Sequence, residues 1–382
     1  MGAEVKKNTI KKNIIVCCYG QKSLEKIGGV EVVVYELTRR MAKKGIDVTC
    51  INRSGDQSFG YEESPIKPSM VDGVKIRYAP TINLRGIAAM TSSVFATFMA
   101  SFGRYNVIHI HAEGAAFLCW LPKLMRKRVV VTIHGLDHQR AKWGKLASWY
   151  IKTGEKNAVR FADEIIVLSK GVQKYFKDKY KRETIYIPNG VNKAVIRKAN
   201  QIKKIWGLEK DDYLLYLGRI VPEKGVQYLI EAFKQVKTDK KLVIAGGSSD
   251  TENYLNELKE IARNDNRIIF SGFVYGEKYE ELFSNAYLYC LPSDLEGMPL
   301  SLLEAMSYGN CCIVSSIAEC TEVVEDKAVI FQKGNVEELK RTLEKLIYHE
   351  EIVDKYKKEA VDFICNKYSW DDVTEKTLEV YY

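Results

Sequence analysis

Several common signatures are missing from this chain. No apolar run reaches the roughly 20 residues that cross a bilayer. The longest weakly polar stretch, Ile87 to Phe102, carries five Ser or Thr and reads as a buried helix. The opening residues MGAEVKKNTIKKN have no apolar core of the kind a signal peptide needs. The nine cysteines are odd in number and nowhere form Cys-x-x-Cys. The pairs Cys17-Cys18 and Cys311-Cys312 lie inside apolar runs, so the thiols read as reduced core residues of a cytoplasmic protein. There is no Asp-x-Asp to hold a divalent ion on a diphosphate. Gly-x-Gly-x-x-Gly with an acidic residue about 20 positions later is also absent, which argues against a dinucleotide dehydrogenase.

What is present suits two domains. The chain has 382 residues, 46% hydrophobic and 28% charged, with neither low-complexity tracts nor a short repeat. Charge divides unevenly: residues 1–190 hold 32 Lys and Arg against 16 Asp and Glu, and the remainder hold 26 against 33. The halves therefore carry +16 and −7, and the basic half is expected to face an anionic partner. Asn13 to Cys18 is a continuous apolar run suited to a doubly buried strand. A loop ending in Gly28-Gly29 follows, and then Val30, Val33, Val34, Leu37 and Met41 recur at helical spacing up to Gly45. Val48–Ile51, Val107–Ile110, Val129–Ile133 and Glu164–Leu168 read as further strands. The same grammar restarts after Ile187-Pro-Asn-Gly-Val191, with strands at Tyr213–Leu217, Lys241–Ala245, Arg267–Phe270, Tyr287–Leu291 and Cys311–Val314. Alternating strands and helices predict parallel sheets covered on both faces, with the domain boundary near Asn192.

Two segments offer ligand chemistry. In Glu296-Gly297-Met298-Pro299-Leu300-Ser-Leu-Leu-Glu304, the spacing puts one carboxylate in a loop and the other about two turns inside a helix. Amides around Met298 to Ser301 crown that helix and suit phosphate oxygens. Alone, the segment is equally compatible with a surface Glu and an unrelated helical Glu. Gly218-Arg219-Ile-Val-Pro-Glu-Lys224-Gly225 follows the first strand of the second half, at the carboxyl edge where open α/β sheets bind ligands. Arg219 can grip a diphosphate with two parallel hydrogen bonds, and Lys224 adds a point charge.

Together these residues resemble the retaining glycosyltransferases of family 4. The resemblance spans the Gly28-Gly29 loop, Asn189-Gly190, Gly-Arg-x-x-x-x-Lys-Gly, the Glu-x7-Glu segment and a final Tyr368-Ser-Trp370 helix. It implies the GT-B fold, an α/β arrangement of two Rossmann-like domains facing a central cleft. Residues 1–191 would form the acceptor-side domain and 192–366 the nucleotide-sugar donor domain. Residues 367–382 would be a helix crossing back to the first domain. It further implies that Arg219 and Lys224 hold the donor diphosphate, with Gly28, Gly29 and the 297–300 amides beside it. Glu296 would touch the sugar hydroxyls and Glu304 the ribose.

The subgroup most similar to this chain carries His134-Gly-Leu-Asp137-His138-Gln-Arg140-Ala-Lys142-Trp143 after a first-domain strand, as in enzymes extending bacterial cell-surface polysaccharides. The resemblance gives His134 a catalytic place beside the reacting carbon. Asp137, His138, Arg140 and Lys142 are either acceptor contacts or an ordinary polar helix start. His109 and His111 share one strand face and read as a satisfied structural pair, because no third metal ligand is recognisable. The expected activity is metal-independent, cofactor-free sugar transfer to a glycan or polyprenyl-linked acceptor with retention of configuration. Lys123, Arg126, Lys127 and Arg128, with the Lys174–Arg182 cluster, would set the enzyme peripherally on the anionic inner face of the plasma membrane. A nucleotide-sugar 2-epimerase and a non-catalytic polyanion binder are the alternatives. No nucleic-acid motif is present.

Overall fold

The computed structural model describes residues 14–24, 28–54, 68–84, 87–139, 144–248 and 251–382. The chain divides into two compact units, Met1–Asn189 with Trp370–Tyr382, and Gly190–Ser369.

The first unit runs β1 (Ile15–Tyr19), α1 (Gly29–Lys43), β2 (Asp47–Arg53), β3 (Met70–Val71), β4 (Val74–Ala79), α2 (Ala88–Phe102), β5 (Val107–His111), α3 (Trp120–Leu124), β6 (Arg128–Ile133), α4 (Lys145–Phe161), β7 (Glu164–Val167), α5 (Lys170–Tyr180) and β8 (Ile185–Tyr186). Its strands are ordered β3-β4-β2-β1-β5-β6-β7-β8. All neighbours are parallel except the β3–β4 hairpin. Consecutive residues such as Val129, Val130 and Val131 are fully buried, as a sheet covered on both faces requires. Strand order reverses between β1 and β5, so the loops leaving their carboxyl ends border a crevice.

The second unit runs α6 (Gln201–Trp206), β9 (Tyr213–Leu217), α7 (Val226–Lys234), β10 (Lys241–Ala245), α8 (Glu252–Ala262), β11 (Ile268–Gly272), α9 (Glu277–Asn285), β12 (Leu288–Leu291), α10 (Leu300–Ser307), β13 (Cys311–Ser315), α11 (Ala318–Val324), β14 (Val329–Phe331), α12 (Val336–Tyr348) and α13 (Glu350–Lys367). Its all-parallel sheet is ordered β11-β10-β9-β12-β13-β14. This is the Rossmann order, and its switch point lies between β9 and β12. The last helix, α14 (Trp370–Val380), belongs to the first unit. Arg40 Nε donates to Asp371 at 2.9 Å, and the Arg128 guanidinium donates to Val380 O at 2.8 and 3.0 Å.

Strand positions expected from the sequence fall within a residue or two of those observed. The stretch Ile87 to Phe102 does not. It forms α2, but Phe95, Phe98 and Phe102 are exposed while Ser92, Ser93, Thr97 and Ser101 are buried. The cause is local: Ser93, Thr97 and Ser101 each donate to the carbonyl four residues back at 2.7 Å. Their hydroxyls are thereby satisfied inside the helix, which lets the small hydroxyl face pack inward. Tyr19 and Thr97 also share a hydrogen bond of 3.0 Å. Eight of the nine cysteines are buried and all nine are free thiols, Cys365 being half-buried.

Candidate functional site

In the second unit, two loops leave the switch point side by side and are tied together. The Asp294 amide donates to Glu223 O at 2.9 Å. Gly225 makes the approach possible: it has φ +63°, and a Cβ there would sit 2.2 Å from Pro292 O. Lys224 Nζ meets Glu296 Oε1 at 2.5 Å, with both side chains largely buried. Ser293 Oγ donates to the same oxygen at 2.7 Å, and Ser315 Oγ holds Ser293 O from β13. Arg219 follows β9 half-buried, its carbonyl accepting from Tyr216 OH at 2.7 Å. Pro299 caps α10, and buried Gly297, Met298 and Pro299 lead into Leu300. Glu304 is the fifth residue of α10, so it lies about one turn in rather than the two expected. Tyr279 OH donates to Glu304 Oε2 at 2.5 Å, and burial pushes that phenol far above its ordinary range.

In the first unit, the histidines gather at the carboxyl ends of β5 and β6. The His109 and His111 rings lie tilted by 33° with centroids 4.1 Å apart. His109 Nδ1 is 2.8 Å from Tyr381 OH and Nε2 is 2.7 Å from Thr132 Oγ1, so both its nitrogens are engaged. Cys18, His109 and His111 bring candidate ligand atoms within 4.8 Å of one another, but those two hydrogen bonds occupy His109. Burial lowers the His109 pKa to about 3 and takes His111 well below its ordinary value. His111 Nδ1 is 3.1 Å from His134 Nε2, which orients the His134 ring. Asp137 and His138 form a single turn after it, where the Asp137 amide donates to Glu113 Oε2 at 3.0 Å. Arg140 and Lys142 lie outside the described residues. Gly28 and Gly29 open α1.

Residues 27–195 match the family model described as Glycosyltransferase Family 4, and residues 198–363 match Glycosyl transferases group 1. The two matches together span most of the chain, which is a glycosyltransferase of GT-B fold whose first half is similar to family 4. An uncharacterized glycosyltransferase of Methanocaldococcus jannaschii is 27% identical over 73% of this chain and 75% of its own length. The UDP-Gal:alpha-D-GlcNAc-diphosphoundecaprenol alpha-1,3-galactosyltransferase of Escherichia coli is 27% identical over 67% and 70%. The solved structure of Anabaena HepE with UDP-glucose superposes with a TM-score of 0.78 at 16% identity, covering 96% of this chain and 98% of that one.

Nothing in the sequence singles out Glu113, Glu155 or the tyrosines of α5 as site residues of this glycosyltransferase. A signal nearby is Gly154, inside a helical stretch, where glycine is normally unfavourable. A Cβ there would sit 2.0 Å from Glu113 O, so Gly154 admits the backbone that carries Glu113. Ser293 and Tyr279 were also missed, because Ser and Tyr are too common to single out without the fold. Several residues of the basic clusters expected to face a membrane also bond within the chain. Lys123 pairs with Asp163, Lys127 donates to Gly103 O and Tyr105 O, and Arg128 to Val380 O. Likewise Lys179 binds Glu155, and Arg182 donates to Ala162 O and Asp163 O. Lys123, Arg126, Lys174, Lys177, Lys179 and Lys181 are nevertheless exposed.

Proposed function

We propose that the enzyme binds its nucleotide-sugar donor on the second unit and transfers the sugar, with retention, to a polyprenyl-linked glycan. The observation that carries this reading is the pair of stitched loops at the β9/β12 switch point. They bring Lys224 onto Glu296 beside the Arg219 loop and the first turn of α10. Arg219, Lys224 and the α10 amides supply a fixed positive field for a leaving diphosphate, the function an Asp-x-Asp-bound ion serves elsewhere. Glu304, oriented by Tyr279, accepts from the ribose, and Glu296 accepts from the sugar. The bond from the anomeric carbon to the diphosphate oxygen breaks, and a bond to the acceptor oxygen forms on the same face. The acceptor proton passes to the departing phosphate. His134 of the first unit, oriented by His111, is assigned a part in the transfer step, with Asp137 and His138 as acceptor contacts. Proton NMR of the product tests the stereochemistry: the anomeric configuration of the donor should persist, and inversion would refute the mechanism. Rearrangement of the donor without acceptor would mark an epimerase instead.

The acceptor is assigned to the lipid phase because of one face of the first unit. Phe95, Phe98 and Phe102 of α2, Leu124 of α3, and Leu146 and Trp149 of α4 are 43 to 71% exposed. The short α3 packs beside both longer helices. Exposed Arg104, Lys123, Arg126 and Lys152 flank them. From Gly73 to Gly154 the only carboxylates are Asp137 and the fully buried Glu113. Aromatic and aliphatic side chains ringed by cations suit the interface of an anionic bilayer. Among the described residues no helix is long and apolar enough to span one. The proposed location is therefore peripheral, on the cytoplasmic leaflet.

A further inference from the structure

Glu113 and Glu155 are both wholly buried in the first unit. Glu113 follows β5, and its Oε2 accepts from the Asp137 amide. Glu155 sits in α4, and its Oε1 accepts from Tyr175 OH at 2.9 Å, Lys179 Nζ at 3.0 Å and Tyr180 OH. The other oxygens, Glu113 Oε1 and Glu155 Oε2, have no hydrogen-bond partner as ionised carboxylates, and neither has His138 Nδ1, which lies 3.9 Å from Glu113 Oε1. The three side chains each bring a polar atom within 4.8 Å of the other two. His138 Nδ1 is 3.3 Å from Glu155 Oε2. Two buried acceptors facing each other without a donor are costly. A single proton between them satisfies both.

We propose that Glu113 and Glu155 share one proton and, with His138, act as positioning residues that clamp the 134–139 loop at the carboxyl edge of the first sheet. The groups facing the pair are Asp137 and His138 on the loop, Lys152 on α4, and Tyr175, Lys179 and Tyr180 on α5. Their charges divide the roles. Burial, then the charges of Asp137 and Glu155, push the Glu113 pKa from 4.5 up to about 10, so this group keeps the proton. Burial also opposes charge on Glu155, but Tyr180, Lys179, Glu113 and Tyr175 all donate to it, and its pKa falls. Burial lowers the His138 pKa against the pull of Glu155, so the imidazole is neutral and its approach is not an ion pair. The loop is then held by two hydrogen bonds, the Asp137 amide on Glu113 and His134 on His111, with the His138 ring lying against Glu155 between them.

The role in positioning His134 rests on the transferase reading, whereas the shared proton can be tested without substrate. Glu113 binds a proton in the folded state that the unfolded chain has lost above about pH 4.5, so stability falls as pH rises toward about 10. Glu113→Gln presents a neutral amide of the same shape, which donates to Glu155 and accepts from Asp137. Melting temperatures of wild type and Glu113→Gln between pH 6 and 9.5 should therefore diverge in favour of the variant as pH rises. Parallel curves would overturn the shared proton, as would one divalent ion per chain by metal analysis of the wild type, lost in Glu113→Gln. In transfer assays, Glu113→Gln should retain kcat within about threefold, while Glu113→Ala loses more than tenfold at unchanged donor KM. Equal losses in both variants would overturn the clamp.

Discussion

Lys224 approaches Glu296 to 2.5 Å with side-chain exposures of 14 and 6%, so a change at either residue exposes the other's charge to a poorly solvated site. Lys224→Ala should therefore lose both transfer activity and stability, the latter toward the lower end of the about 3–5 kcal/mol typical of breaking a buried pair. The double variant Lys224→Met/Glu296→Gln should recover stability in urea denaturation while transfer stays lost. If it denatured no later than Lys224→Ala, the pair would not carry that stability. Arg219 differs, because among the described residues no carboxylate pairs with it. Arg219→Ala should keep its melting temperature and lose about 10- to 150-fold in kcat/KM, the range for a hydrogen bond to a charged group. Glu304 and Tyr279 form a further unit. Glu304→Gln should weaken calorimetric binding of the bare nucleoside diphosphate, and Tyr279→Phe should do so by about two- to tenfold, as loss of one orienting hydrogen bond predicts. Glu296→Gln should spare that ligand and reduce binding of the intact donor. Equal losses on both ligands for Glu304→Gln and Glu296→Gln would remove the division between ribose and sugar contacts.

Strands β9 and β10 match the sequence expectation residue for residue, because Tyr213–Leu217 and Leu242–Ala245 are continuous apolar runs next to polar turns. Strands such as β3, β8 and β14, with two or three residues each, have too little periodicity to read. In α2 the reading failed in a more informative way: composition cannot distinguish which face is buried when serine and threonine satisfy their own hydroxyls. The two loops at the β9/β12 switch point were legible as loops because glycine, arginine, lysine and glutamate sit at fixed offsets from strands. The Glu113–Glu155 pair was not, since its members are 42 positions apart on different elements. Glycine marks where elements touch. Gly225→Ala meets both a positive φ and Pro292 O, and should cost about 1–3 kcal/mol by denaturant unfolding, as overpacking does. Neutral stability in that variant would mean the two loops are not held as closely as their hydrogen bonds indicate.

For the whole molecule, the +16 and −7 of the two halves take on meaning once the exposed aromatics of α2 and α4 are placed among the cations of the first unit. Sedimentation with vesicles should show binding that requires anionic lipid and fades between about 0.05 and 0.5 M salt as the screening length shrinks. The pair Phe98→Ser/Phe102→Ser should bind less than wild type at low salt, because apolar insertion adds to charge. Equal binding to neutral vesicles would remove the electrostatic part, and an unaffected serine pair would remove α2 from the docking face. The central claim is that the second unit presents a nucleotide-sugar donor for transfer. The most direct test is release of nucleoside diphosphate from a panel of nucleotide sugars, with and without a polyprenyl-diphosphate-linked glycan, by wild type and Arg219→Ala. The account predicts release from at least one donor that depends on the acceptor and falls at least tenfold in the variant. Acceptor-dependent release that Arg219→Ala supports at the wild-type rate would contradict it.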